Sequence, residues 1–488
     1  MPPQHGFRPV FSSPEFRALW LAELASVLGD QLARVGLAVL VYGRTGSAAW
    51  SAVTYALTFL PALFGGVLLG WLADRCRRRE VMVLADVGRA ALLGVMALPG
   101  MPLGVLCALL VPVVLLGAPH SAAQGALLPE VLGERFEQGL AVRQITSQAA
   151  QLAGFGLGGV LLTAVPPGVA LAADALTFLA SAALVRIGVR DRPAPGRDAT
   201  PDTAGLRGAV ESGGANGANG TAPSGGARGV ERGGVGGAIT PGGAGRAGGA
   251  DGVGGASAPA GAVGANGSIA PGGVARRWWA DTRAGVVAVS ADPRRRVLAS
   301  LVWLVGCYVV PEGLAAPYAA QLGAGPLAVG LLMAADPAGG VLGAWLVTRF
   351  VPEWWRSRLL GGFAAGGGLA LAACWAGPGV LVSALLWGAS GVCSSACLVQ
   401  AQTAFVRATP DELRGRAIGV AASGLIAAQG VAILVAGLLA ERVGAAAAIG
   451  GTGLLGLLLA VGLAVGWRRA AVGHPDLGAD GVPLARGR

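Results

Sequence analysis

The chain has 488 residues, 54% hydrophobic and only 13% charged, with a mean hydropathy of +0.63 and a formal net charge of +10. That balance excludes an ordinary soluble globular domain and specifies an integral membrane protein. Every basic residue is arginine; without lysine there is neither a Walker A loop nor Schiff-base chemistry, and the charge suits anionic lipid headgroups rather than nucleic acid.

Residues 1–15 are polar and proline-rich and lack the charged, apolar, small-residue order of a cleavable signal. The first apolar run, 16–42, is then an internal signal anchor. Further runs at 50–73, 80–98, 102–128, 140–165 and 169–187 are separated by proline and glycine, and each is close to the ~20 residues that cross the hydrocarbon. From 188 to 275 the composition turns to Gly, Ala, Pro and isolated charges without apolar periodicity, so no core forms and a flexible linker is expected. Six more runs follow, at 297–318, 326–350, 359–375, 380–406, 417–441 and 445–467. The predicted fold is all-α, with twelve transmembrane helices in two six-helix pseudo-repeat halves, 1–187 and 276–470, and a cytoplasmic tail at 471–488.

Charge placement supports that count independently. Arg75 and Arg77 to Arg79, Arg135 and Arg143, the linker, Arg349, Arg356 and Arg358, Arg407, Arg414 and Arg416, and Arg468 and Arg469 fall in alternate loops. By the positive-inside rule both termini are cytoplasmic, in a plasma-membrane protein, with Arg44 and Arg442 as exceptions on outer turns. Two halves around a long cytoplasmic loop are an arrangement that builds a binding site at the midplane.

On the first helix Glu23, Ser26, Asp30 and Arg34 recur at spacings of three, four and four, which puts them on one face. Asp30 lies about 20 Å beyond Phe16 at ~1.5 Å per residue, near the midplane, where lipid does not accept a polar stripe. Asp30 is a candidate to take up a proton or meet a cationic group, with Arg34 tuning it; the alternative is a static Asp30–Arg34 ion pair. Asp336 beside Pro337 and Glu312 beside Pro311 compete for the coupling role, since helix-breaking prolines free carbonyls next to an acid and desolvation lets a carboxylate trade protons near neutral pH. Alternatively they sit in a vestibule or pair across helices. Asp86 and Arg89, one turn apart, form either a local pair or part of a larger network. Glu23, His120, Gln148, Gln151, Gln400, Gln402 and Gln429 interrupt apolar spans and outline a substrate cavity or bond helix to helix. The six cysteines form no CxxC pair, so no metal site or disulfide framework is expected.

The segment from Gly70 to Arg79, Gly-Trp-Leu-Ala-Asp-Arg-Cys-Arg-Arg-Arg, carries too much charge to lie in lipid and is a turn at the membrane surface. Gly70, Leu72, Asp74, Arg75, Arg78 and Arg79 match the pattern G-x-L-A-D-R-x-G-R-R. With Gly154, Gly158 and Gly159, with Asp174, Ala175, Thr177, Phe178 and Ser181, and with Pro410 and Glu412 to Arg416, the chain resembles the major facilitator superfamily. Within it the likeness is to the drug-exporter-like branch that includes macrolide and enterobactin exporters. Arg77 stands where the family has glycine, and Phe155 where the exporter signature has proline. The resemblance implies a cytoplasmic latch in which Asp74, among Gly70, Arg75, Arg78 and Arg79, meets a helix N-terminus across the halves; a plain topogenic arginine cluster is the alternative. Gly154, Gly158 and Gly159 are expected to let helices approach closely. Asp174 belongs to the branch pattern and is expected to be structural.

The function expected from these readings is proton-coupled efflux of a small amphipathic compound by alternating access. The protein would work as a monomer, without a cofactor, with the proton gradient as its energy source. A lipid or lysolipid transporter of the same fold is the first alternative, and a non-transporting anchor or sensor the second. An enzyme is not expected, because no nucleophile, base and orienter fall together.

Overall fold

The computed structural model describes residues 9–69, 72, 75–192, 282–352, 355 and 358–472. The described residues are helical throughout, in two sets of helices separated by residues 193–281, with a further helical stretch at 282–290. In the N-terminal half these are α1 (Pro14–Thr45), α2 (Ala48–Ala56 and Leu60–Leu69), α3 (Arg78–Met96), α4 (Leu103–Leu132), α5 (Phe136–Leu161) and α6 (Pro167–Gly188). In the C-terminal half they are α7 (Pro293–Gly306, Val310–Gly313 and Ala315–Gln321), α8 (Pro326–Phe350), α9 (Leu360–Ala372), α10 (Val380–Arg407), α11 (Asp411–Val443) and α12 (Ala445–Val472). Nine stretches among the described residues are long and apolar enough to cross a membrane. One of them, Leu103–Leu161, holds both α4 and α5. The charged α3 and the short α9 fall outside the nine.

Local chemistry sets the boundaries. Ser13 caps α1 by accepting from the Phe16 amide, Ser47 caps α2 through Trp50, and Asp292 caps α7 through Arg294. The α1–α2 and α11–α12 turns pass through Gly46 at φ 61° and Gly444 at φ 85°, a left-handed region that glycine enters without cost. Two helices read as continuous in the sequence are broken. α2 loses its regular helix between Ala56 and Leu60, just ahead of Pro61, and α7 passes through a 3₁₀ turn at Cys307–Val309 before Pro311. Proline removes an amide donor and clashes with the preceding turn, which fits a break at each place. The linker expected at 188–275 lies outside the described residues beyond Arg192, as does the tail beyond 472.

Large apolar side chains are exposed on the surface, and a few polar groups are buried in an otherwise apolar interior. Leu84, Ile187 and Leu381 are 70%, 86% and 69% exposed, while Asp86, Asp174 and Ser181 are 1% exposed or less. Lipid tails offer helices no hydrophobic reason to associate, so contact depends on close packing of small residues. α1 is the centre of the first half: Gly29 lies against Thr177 and Asp174 of α6, and Gly154 of α5 against the Leu28 carbonyl and Gln31. The largest buried apolar cluster crosses between the halves, joining Val35, Tyr55 and Phe155 to Val310, Tyr318, Met333 and Ile433.

Candidate functional site

Three polar groups line α1 in steps of seven and four residues, and each is met by a different helix. Glu23 is held by Arg143 of α5, whose Nε and Nη2 stand 2.5 and 2.8 Å from its two carboxylate oxygens, and it also accepts from Gln124 of α4 at 3.3 Å. Asp30 accepts from Arg89 of α3 at 3.2 and 3.3 Å, and the Arg89 guanidinium lies 3.8 Å from the centre of the Phe178 ring. Arg34 lies over the rings of Tyr55 and Phe59 on α2, 6.0 and 5.5 Å from their centres. Asp30 thus meets a cationic group, Arg89, and the alternative of a static Asp30–Arg34 pair is not formed. An aromatic face attracts a cation, and α2 presents two to Arg34.

The Tyr55 hydroxyl donates to the Glu312 carboxylate across the boundary between the halves. Glu312 stands in the short Val310–Gly313 helix that follows the break in α7, and is only 8% exposed. Asp336 is half-buried on α8, where Gly391 of α10 presses on its backbone carbonyl. On the next turn a side chain at Gly340 would meet Ser395 of α10 and the amide of Gln148 on α5, and Gln148 in turn accepts from Gln151 at 3.2 Å. The described groups Arg34, Tyr55, Glu312, Asp336, Gln148 and Gln151 thus converge from α1, α2, α5, α7 and α8. Gln400 and Gln402 are half-buried farther along α10, and Gln429 packs by Gly306 of α7.

Two cavity candidates belong elsewhere. His120 Nδ1 stands 2.9 Å from Asp86, which also accepts from Ser181 at 2.6 Å, so α3, α4 and α6 share a buried polar cluster inside the first half. Asp86 has no exposed surface and needs donors; Ser181 donates to its Oδ2 and His120 Nδ1 stands beside its Oδ1, while Arg89 turns to Asp30. Glu23, read as a cavity residue, is bound on both oxygens by Arg143. Asp174 is 1% exposed and accepts from Thr177 at 3.2 Å.

Of the surface segment, Gly70 and Asp74 lie outside the described residues. Arg77, Arg78 and Arg79 bind within their own half. Arg77 and Arg79 reach Asp191, just past α6, at 2.7 and 3.2 Å, and Arg78 pairs with Glu130 of α4. The α5 glycines serve two neighbours. Gly154 and Gly158 face α1, and Gly159 meets Gly330 of α8 so closely that a Cβ on Gly330 would lie 2.4 Å from the Gly159 Cα. Contacts between the halves gather toward the end of the bundle that carries the Gly46 and Gly444 turns: Glu441 with Ser47, Gly437 with Ala52, Gly330 with Gly159, and Glu312 with Tyr55.

Sequence reasoning passed over Tyr55, Arg143 and Gln124. Arg143 was read only as a loop charge. Its one visible signal is its distance from the α4–α5 turn, two helical turns into α5 from Phe136, which is too deep for a purely topogenic arginine.

Residues 5–212, less than half of the chain, match a family model described as transmembrane secretion effector. The fold is similar to that of the nucleoside transporter NupG, with 11% identity over 94% of this chain and 100% of that one and a TM-score of 0.58. It is similar also to a bacterial homologue of the human lysosomal transporter Spinster in an inward-facing, unoccupied conformation, with 14% identity, 96% of each chain and a TM-score of 0.57. A POT family transporter in complex with a thioalcohol-conjugated peptide gives 10% identity, 93% and 96% coverage, and a TM-score of 0.60. No curated protein matches the chain by sequence. The fold is that of the major facilitator transporters, and what the chain resembles by family model and by structure are transporters, not enzymes.

Proposed function

We propose that the chain is a secondary active exporter in a bacterial plasma membrane, moving a small amphipathic compound outward by alternating access in exchange for protons. The observation that carries the reading is the Tyr55–Glu312 hydrogen bond, a buried carboxylate at a helix break in one half held by a hydroxyl of the other. Arg34 lies over the same tyrosine ring. A protonated carboxylic acid and a carboxylate make different demands on that hydroxyl and that guanidinium, so proton binding at Glu312 changes a contact between the halves. A ligand or proton shifts a conformational equilibrium only through such a difference. Glu312 is the coupling carboxylate in this reading, and Asp336, its like-charged neighbour, faces substrate.

Export is favoured by the family description, a secretion effector. The arginine-rich turns lie at the end opposite Gly46 and Gly444, which by the positive-inside rule makes that end cytoplasmic. The contacts of Glu441 with Ser47 and of Gly437 with Ala52 then lie on the outer side. Amphipathic cargo suits a site with two carboxylates, two amides and the rings of Tyr55 and Phe59.

The test is transport by reconstituted protein in liposomes under an imposed pH gradient. Uphill dye movement in the wild type should collapse in Glu312→Gln, while downhill exchange of the same dye persists. Equal uphill movement in both proteins would remove Glu312 from coupling, and no dye movement in either, from folded protein, would sink the exporter reading.

A further inference from the structure

Glu441 is two residues from the end of α11, where the helix dipole is negative and a carboxylate on its own helix is disfavoured. It is not held by the arginines nearest in sequence and space: Arg442 is its chain neighbour, and Arg44 donates to the Met101 carbonyl at 2.6 Å. Instead it crosses to the other half. One carboxylate oxygen accepts from the Ser47 hydroxyl and from the Ala49 amide, the latter at 2.8 Å. Ser47 is already the cap of α2, accepting from the Trp50 amide at 3.2 Å. Its oxygen is thus engaged as acceptor within α2, which leaves its proton to point at Glu441. The start of α2 therefore has a local cap and does not need Glu441 for its own stability. What the carboxylate adds is a bond between residues 392 and 394 positions apart, from the negative end of one helix to the positive end of another.

We propose that Glu441 is a gating residue, a carboxylate of the C-terminal half that caps α2 of the N-terminal half and latches the bundle shut at the Gly46 and Gly444 end. The inference rests on the alternating-access reading. Just inside the latch the halves meet on small residues, Gly437 against Ala52, a contact that either stays closed as a unit or parts as a unit. Deeper still, Ile433 and Tyr55 both pack beside Gly313, and Ile433 has no exposed surface. The latch must release before water reaches Ile433 from that end. In the closed state Glu441 is exposed, so the latch is the outermost contact of the seam and the first to break.

The experiment uses the full-length protein with its six cysteines replaced and Ile433→Cys as reporter, in vesicles, with a membrane-impermeant maleimide presented to the side bearing the Gly46 turn. Glu441→Gln should raise the labelling rate about tenfold, the factor that ~1.4 kcal/mol represents. Glu441→Asp should recover part of the slow rate, and Arg442→Gln should leave it unchanged. Ser47→Ala should give a smaller rise, and Ser47→Ala with Glu441→Gln no more than Glu441→Gln alone. A structural role would lower the melting temperature of Glu441→Gln without changing the labelling of its folded fraction. Labelling that rises when an exported dye is supplied to the wild type, but is identical in wild type and Glu441→Gln at rest, overturns the latch and leaves alternating access standing. Absence of labelling in every variant and condition overturns both.

Discussion

The two halves treat their buried acids differently. In the first half three acids have a nitrogen-bearing partner of their own half, Glu23 with Arg143, Asp30 with Arg89 and Asp86 with His120, while Asp174 accepts from the Thr177 hydroxyl. In the second, Glu312 takes its hydrogen bond from Tyr55 of the other half. A buried ion left without a partner is costly, and most costly in lipid. Most acids of the first half thus meet a cation or ring nitrogen within it, whereas Glu312 takes its hydrogen bond from the other half. A transporter that rocks one half against the other needs one rigid body and one whose charges are settled by what is bound.

The largest effect that separates the halves should come from Arg143→Ala. It leaves Glu23, 16% exposed, without its bidentate partner, and losing one member of a buried pair costs about 3–5 kcal/mol. The detergent-solubilised protein should melt at a clearly lower temperature, and Glu23→Gln added to Arg143→Ala should restore most of the loss. Equal melting of wild type and Arg143→Ala would show that Glu23 finds water or another donor, and the contrast between halves would weaken. Next in size is Gly330→Val. Its Cβ has the Gly159 backbone at 2.4 and 2.6 Å, and no side chain there can move aside. The crossing of α5 and α8 must open, so the variant should fold with the halves parted at the Gly46 end and should label there faster than wild type.

What the sequence shows of this arrangement follows from how local each signal is. The helices and the division into halves rest on runs of ~20 apolar residues, and the stripe from Glu23 to Arg34 on a helical period; both are written within one segment. The partners are not. Arg143, Arg89 and Tyr55 lie 120, 59 and 21 positions from the α1 groups they meet, and pairing is decided by packing angles that no single helix encodes. Asp30 had a cation at one turn, Arg34, and took another at a distance, because Phe59 and Tyr55 already hold Arg34 to α2. The breaks in α2 and α7 had their warning in Pro61 and Pro311, residues a hydropathy count passes over. The gating segment resembles its family by motif, while its Asp74 stands outside the described residues.

A smaller effect is expected from Tyr55→Phe, which keeps the ring that Arg34 covers and removes one hydrogen bond to a carboxylate, worth about 1.5–3 kcal/mol where the acceptor is charged. Because the bond joins the halves, the loss should appear in the balance between conformations more than in unfolding. Melting should change little, and the pH dependence of dye export should move relative to wild type. A variant whose pH profile overlays that of wild type would disconnect Tyr55 from the coupling step.

The smallest effect on stability should come from Asp336→Asn, and its smallness is informative. If the carboxylate were held by a cation of its own half, removing its charge would strand that cation and cost as much as Arg143→Ala. Asp336 is half-buried on α8, and the amide removes its charge while nearly preserving its shape. Melting should be unchanged or slightly raised, while the affinity for a cationic dye falls and that for a neutral analogue of the same size is kept. Destabilisation comparable to Arg143→Ala would mean that Asp336 is a structural member of a pair, and the second half would then be as self-sufficient as the first.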